Sequence, residues 1–199
     1  MDKNKLLFSY FRKAILVRKG NMKDICILDK KFRELIPEEA ILKRAGELAE
    51  IINRDYRERD VVFLAILNGA FIFAADLFKK IDLKARITFV KFASYSGTCS
   101  SGSVVELIGL NEDLIDKEII ILEDIVDSGD TLEKIVNELL ERKVKSVSVA
   151  AMFLKPDSYK KNIPVSYIGF EIPPDFVVGY GLDYDGFGRN LPSVYALIT

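Results

Sequence analysis

Four acids, Glu123, Asp124, Asp127 and Asp130, crowd into eight positions directly behind the apolar run at 119–122. Carboxylates that close repel one another and lose hydration, so they need a cation, hydroxyl donors or open water nearby. The residues after them narrow the choice. Ser128-Gly129-Asp130-Thr131 leads into a helical stripe of Leu132, Ile135, Val136, Leu139 and Leu140. A loop entering a helix turns its unpaired backbone N–H groups and the positive end of the helix dipole toward one small volume, here with two hydroxyls beside it. That volume suits a phosphate. The carboxylates just upstream can accept hydrogen bonds from sugar hydroxyls, and can help hold Mg²⁺ directly or through water. Phosphate on one side and diol on the other describe a ribose 5-phosphate. The same D-x-x-T/S pattern also fits an acid-rich loop that merely caps its helix, so this segment alone leaves both readings open.

Composition removes other chemistries. Among 199 residues there is no histidine, which excludes Ser-His-Asp and Cys-His catalysis and the usual histidine-containing zinc sites. Proton transfer falls to Asp, Glu, Lys or Tyr. Cys26 and Cys99 form no CxxC pair and imply no disulfide framework, as expected for a reducing cytoplasm. A net charge of −1 gives no general attraction to nucleic acid or an anionic membrane, so neither is expected as a partner.

Residues 1–21 are the odd segment, with six Lys/Arg against one acid, while the remainder carries 23 basic and 29 acidic residues. Arg12 and Lys13 interrupt any signal-peptide h-region. The segment is expected to be a basic N-terminal extension: a poorly ordered tail, or sequence ahead of a natural start at Met22. Residues 22–199 are expected to form one domain.

The elements that must position the acids follow from periodicity. Pro37 followed by Glu38 and Glu39 opens a helix with Ile41, Ala45, Leu48, Ala49 and Ile52 on one face. Residues 61–67 are a continuous apolar run, Asn68-Gly69 a turn, and 70–81 a second helix. Strands are expected at 86–92, 119–123, 146–154 and 166–172, and Ser94 to Gly102 is a small, polar loop. Strands alternating with helices, several apolar on both faces, predict an α/β fold with a mostly parallel sheet covered on both sides. In such sheets ligands bind beyond the carboxyl ends of the strands, which is where the acids fall.

With these motifs in order, the chain resembles the type I phosphoribosyltransferases, and among them the hypoxanthine-guanine phosphoribosyltransferases. Ile-Leu-Glu-Asp-Ile-Val-Asp-Ser-Gly-Asp-Thr-Leu at 121–132 is similar to the family's motif for phosphoribosyl pyrophosphate (PRPP). Leu67-Asn-Gly-Ala-Phe71 resembles its pyrophosphate loop, Ser94-Tyr95 its lid signature, and Phe153-Leu-Lys-Pro156 the segment carrying its purine-contacting lysine. Residues 170–184 resemble its base-binding hood, and Gly186-Phe-Gly-Arg-Asn-Leu191 continues the match. The likeness runs from about Met22 to Leu191 and leaves out the basic extension.

The resemblance implies a twisted, mostly parallel sheet flanked by helices, with a small hood built from the N-terminal and C-terminal segments. It implies transfer of the PRPP phosphoribosyl group to a 6-oxopurine, with Mg²⁺, in a homodimer or homotetramer. By the same likeness Ser128, Gly129, Asp130 and Thr131 bind the 5′-phosphate, and Glu123 and Asp124 hold the ribose hydroxyls and metal. Asp127 is the acid or base at purine N7. Lys155 donates to the 6-oxo group, Phe176 stacks on the base, and Val177 presents backbone groups to its edge. Asp183 binds a second Mg²⁺ beside the base site, and Arg189 contacts pyrophosphate with Asn68 and Gly69, whose turn is entered by a non-proline cis peptide. Ser94 and Tyr95 belong to a lid that closes over the site, with Cys99 on it. Asp130 departs from relatives that carry lysine in the phosphate loop, and an acid there weakens phosphate attraction unless it points outward. Xanthine or pyrimidine transfer remains an alternative, as does a non-catalytic regulator that senses PRPP, since a shared fold does not fix activity.

Overall fold

The computed structural model describes residues 24–94, 104–108 and 113–198. The extension at 1–21, and Tyr95 and Cys99 of the expected lid, lie outside these residues. Among the described residues, ten strands and three helices run in the order β1 (Asp24–Ile27), β2 (Lys30–Ile36), α1 (Glu38–Asp55), β3 (Val61–Leu67), α2 (Phe71–Phe78), β4 (Ala85–Ser94), β5 (Val104–Ile108), β6 (Glu118–Val126), α3 (Asp130–Glu141), β7 (Ser146–Leu154), β8 (Tyr167–Glu171), β9 (Val177–Val178) and β10 (Val194–Leu197).

The larger sheet has the order β5-β4-β3-β6-β7-β8. Its five strands from β4 to β8 pair in parallel, and β5 adds an antiparallel edge. Strand β3 is buried along almost its whole length because both faces are covered. On one face α1 and α2 pack through Ile41, Leu48, Ile52, Phe73 and Leu77. On the other, Leu132, Ile135 and Leu139 of α3 meet Val62, Leu64, Ile119 and Ile121. The expected α/β architecture with a mostly parallel, doubly covered sheet is borne out. Among the described residues no helix is long and apolar enough to cross a membrane.

Order in this sheet fixes where a cleft can form. From β3 the chain moves outward to β4, whereas from β6 it moves the opposite way to β7 and β8. The carboxyl ends of β3 and β6 are therefore neighbours whose following loops diverge, and a crevice opens between them. A second, antiparallel sheet, β1-β2-β10-β9, joins segments from opposite ends of the chain around Phe32, Val178 and Tyr195.

Two boundaries differ from the periodicity reading in ways that matter. Helix α2 stops at Phe78, short of 81, because the apolar stripe gives way to Lys79-Lys80. Strand β6 continues to Val126, past the expected end at 123. Its charged residues stay in the ladder because Glu123 pairs in register with Ala151, and Ile125 with Phe153, against an apolar β7.

Candidate active site

Glu123 and Asp124 are thus strand residues, and strand alternation sends successive side chains to opposite faces. Glu123 lines a cleft of about 110 Å³ together with Asp127, Ser128, Gly129, Asp130 and Thr131. Asp124 instead lies against Gly69, where a methyl group would overlap its carboxylate. One carboxylate serves the loop after β6 and its neighbour the turn after β3. Burial, then the charge of Asp124, pushes the Glu123 carboxyl well above the usual range. Burial pushes Asp124 up to about 6, against the hydrogen bond it accepts from the Ile125 N–H and the nearby Arg189 charge. Two adjacent carboxyls held reluctant to ionise are suited to a cation that arrives with its ligand.

The loop at 127–131 is shaped by Gly129, whose φ of +88° only glycine adopts without strain and whose Cβ position is filled by Tyr159 and Lys161. Gly129 is the N-cap of α3, with no side-chain cap hydrogen bond. The capping explanation of the acid-rich segment therefore fails for Asp127, which points elsewhere. Its Oδ2 accepts a hydrogen bond from Lys155 Nζ at 2.8 Å. Parallel register produces this pair: Val126 sits opposite Leu154, so the next residue along each strand path meets its counterpart, and Lys155 N–H donates to the Val126 carbonyl at 3.0 Å. Lys155 is only 7% exposed, unlike an ordinary surface lysine. The Asp127 side chain is 52% exposed and opens to the cleft. In the same loop Ser128 Oγ donates to Asp130 Oδ2 at 2.8 Å, and Thr131 is exposed.

Across the crevice the Leu67–Asn68 peptide is cis, in the turn where the resemblance implied one. Gly69 is wedged between the Asp124 carboxylate and Gly181, for a Cβ on Gly181 would overlap the Gly69 carbonyl. The segment carrying Gly181 holds the last site candidates. Arg189 forms an ion pair with Asp183 and donates through Nη1 to the Gly181 carbonyl at 2.6 Å. Asp183 also accepts from Gly186 N–H at 2.7 Å. Phe176 is 44% exposed, its ring lying 6.3 Å from that of Phe32 and 5.9 Å from that of Tyr184, while Val177 is buried. Ser94 ends β4, and Tyr95 lies outside the described residues.

The fold therefore links Asn68, Gly69, Asp124, Asp183 and Arg189 through the Gly181 contact, and Glu123 and Asp127 to Thr131 around the cleft, with Lys155 paired to Asp127. Sequence reasoning missed Tyr180, whose buried hydroxyl donates to Asp76 Oδ2 at 3.0 Å. It also missed Lys161, which reaches the 127–131 loop from a different segment. The Gly-Tyr-Gly spacing around Tyr180 was a legible signal of close packing; for Lys161, one lysine in a polar run, there was none.

A crevice at the switch point, edged by a glycine loop at a helix N-terminus and by a buried lysine, belongs to a known class. The phosphoribosyl transferase domain model matches residues 33–185, and the chain belongs to that family. It is 42% identical over 164 residues to the hypoxanthine-guanine phosphoribosyltransferase of Staphylococcus epidermidis, covering 82% of this chain and 92% of that protein. With the hypoxanthine phosphoribosyltransferase of Escherichia coli it shares 39% identity over 167 residues, 82% of this chain and 94% of the relative. A crystal structure of a Bacillus anthracis hypoxanthine-guanine phosphoribosyltransferase superposes with a TM-score of 0.78 at 36% identity, covering 83% of this chain and 98% of that one. The resemblance read from the motifs is borne out.

Proposed function

We propose that the chain transfers the phosphoribosyl group of PRPP to hypoxanthine or guanine, giving the nucleoside 5′-monophosphate and pyrophosphate. The observation that carries this reading is the Asp127–Lys155 pair beside the phosphate-type loop. A 6-oxopurine offers O6 and N7 as neighbouring positions on one edge. Lys155 donates to O6 and Asp127 takes or gives the proton at N7, so the two groups that pair with each other in the free chain meet adjacent atoms of the base. Adenine places an amino donor where Lys155 needs an acceptor, a mismatch of about 1–3 kcal/mol.

Around that edge, Phe176 stacks on the ring and Val177 offers backbone groups to it. The amides of residues 128–131, with Ser128 and Thr131, hold the 5′-phosphate against the α3 dipole. Asn68 and Gly69 present backbone N–H groups to pyrophosphate, and Arg189 adds a fork of donors. Departure of pyrophosphate leaves an oxocarbenium-like ribosyl ring, and the carboxylates of Glu123 and Asp124 favour that developing positive charge. Ser94 and Tyr95 belong to the segment that excludes water.

Among the described residues no group of three or more acids, cysteines or histidines converges into an all-protein cage for a metal. That fits Mg²⁺, which is commonly held by one or two carboxylates plus substrate phosphates. Glu123 and Asp124 would hold one ion and Asp183 a second, and when bound these neutralise pyrophosphate charge. The reading also carries the expectation of a cytoplasmic homodimer or homotetramer, which fractionation and sedimentation test. The decisive assay supplies PRPP and Mg²⁺ with hypoxanthine, guanine, xanthine, adenine or uracil and follows pyrophosphate release. Turnover of hypoxanthine or guanine is expected; turnover of uracil alone, or of no base, overturns the reading.

A further inference from the structure

Asp130 puts a negative charge in the loop assigned to a phosphate dianion, and the chain answers it from outside the loop. Lys161 Nζ lies 2.9 Å from Asp130 Oδ1 and 2.7 Å from Glu133 Oε2. The other Asp130 oxygen accepts from Ser128 Oγ. Both oxygens are thus engaged, and the carboxylate is turned toward Lys161 instead of lying free at the helix entrance. Lys161 is held in place to do this. Its side chain is 22% exposed, against 65% for Asp130. Its Cγ and the Tyr159 ring fill the space where Gly129 lacks a side chain, and Lys160 N–H donates to the Ser128 carbonyl at 3.5 Å. Tyr159 hydroxyl in turn donates to the Ile163 carbonyl, closing the segment on itself. The residues following Lys155 therefore form a wall against the phosphate loop, with a cation aimed at Asp130.

We propose that Lys161 is a positioning residue for the 5′-phosphate: it cancels and holds aside the Asp130 carboxylate, supplying from the neighbouring segment the positive charge that the phosphate loop itself lacks. The proposal rests on the transferase function proposed for this site. It adds a residue that does not touch the purine and acts on the phosphate through Asp130. When phosphate arrives, Ser128 can turn its hydroxyl from Asp130 to the ligand, because Lys161 keeps Asp130 paired.

A double-mutant cycle tests it. Lys161→Gln leaves Asp130 charged beside the phosphate, and the KM for PRPP and the Kd for guanosine 5′-monophosphate should rise about tenfold at low salt, less as salt screens the repulsion. The KM for the purine and the Kd for guanosine, which has no phosphate, should not move, and Lys161→Arg should retain wild-type values. Adding Asp130→Asn to Lys161→Gln should restore most of the nucleotide affinity, to within a few-fold of wild type, since the carboxylate in the loop is gone while Glu133 is left unpaired in both variants. If Lys161→Gln weakens nucleotide and nucleoside alike, or if Asp130→Asn fails to rescue it, Lys161 only staples the loop and the proposal falls. Unchanged nucleotide affinity in Lys161→Gln also overturns it. A wild-type protein that turns over hypoxanthine and guanine keeps the functional reading intact in each of these cases; one that turns over neither defeats that reading first.

Discussion

Asp127 sits where an ammonium already holds it, yet half of its side chain faces the cleft. A proton-transfer group needs that balance: a fixed direction and access to the ligand. Asp127→Asn keeps the shape and a weaker hydrogen bond to Lys155 while losing the proposed acid-base function. We expect kcat to fall by roughly 10²- to 10⁴-fold with PRPP affinity retained; single-turnover and binding measurements separate the two, and an unchanged kcat removes the role. Asp124 gives a prediction of the opposite kind. Its folded-state carboxyl titrates near 6, above the ordinary 3.8. Below about pH 4 it is protonated whether folded or unfolded, and the stability tied to the protonated form is fully present. As pH rises from there through 6 the unfolded chain ionises more easily, and that stability is lost. In metal-free protein Asp124→Asn should therefore gain on the order of 2 kcal/mol relative to wild type between pH 4.5 and 7.5. Denaturant midpoints at the two pH values measure it, and a constant difference between the proteins would count against the buried-carboxyl account. At this scale the sequence disclosed the cluster of acids, since Glu123 to Asp130 crowd together, but not their partners. A lysine 31 positions past Asp130 has no periodic relation to it, so only the fold could pair them.

Elements position these groups through contacts too close for side chains. Gly69 touches Asp124 on one side and Gly181 on the other, so the turn after β3 is clamped between β6 and the segment following β9. Tyr180 anchors that segment: its ring packs edge-on against Phe153, two residues before Lys155, and its hydroxyl reaches Asp76 of α2. Tyr180→Phe keeps the ring and removes the tether. We expect about 1 kcal/mol of destabilisation and a several-fold rise in KM for PRPP, with the purine KM unchanged. Steady-state kinetics with each substrate varied in turn decides it, and equal rises in both KM values would deny the turn-specific role. Long apolar runs such as β3 and β7, and the one-sided stripe of α1, were readable because burial on two faces or one leaves a simple period. Strands β1, β2, β5 and β10 were not. They are short or mix charge with apolar residues, as in Lys-Lys-Phe-Arg-Glu-Leu-Ile for β2, and edge or one-sided positions impose little pattern.

On the scale of the whole molecule, the two sheets divide the labour. The parallel sheet provides the carboxyl ends of β3, β6 and β7, while the antiparallel sheet carries Val177 and, just ahead of it, Phe176, the two residues proposed for the base. In that smaller sheet β10 lies between β2 and β9 and pairs with both. Ending the chain before Val194 removes the only strand pairing β9 has among the described residues. Such a truncation should abolish purine binding, and intrinsic tyrosine fluorescence with calorimetric titration of guanine tests it; a truncated chain that binds guanine normally would contradict the dependence. The doubly wound arrangement was legible from strand-helix alternation, but this pairing was not, because contact between residues 32–36 and 194–197 is a long-range event that local propensity does not encode. It has a consequence for synthesis. While the last four strand residues remain in the ribosome, a nascent chain can already form the 127–131 loop yet lacks the strand that completes β9, so the two sides proposed for phosphate and purine are born at different moments.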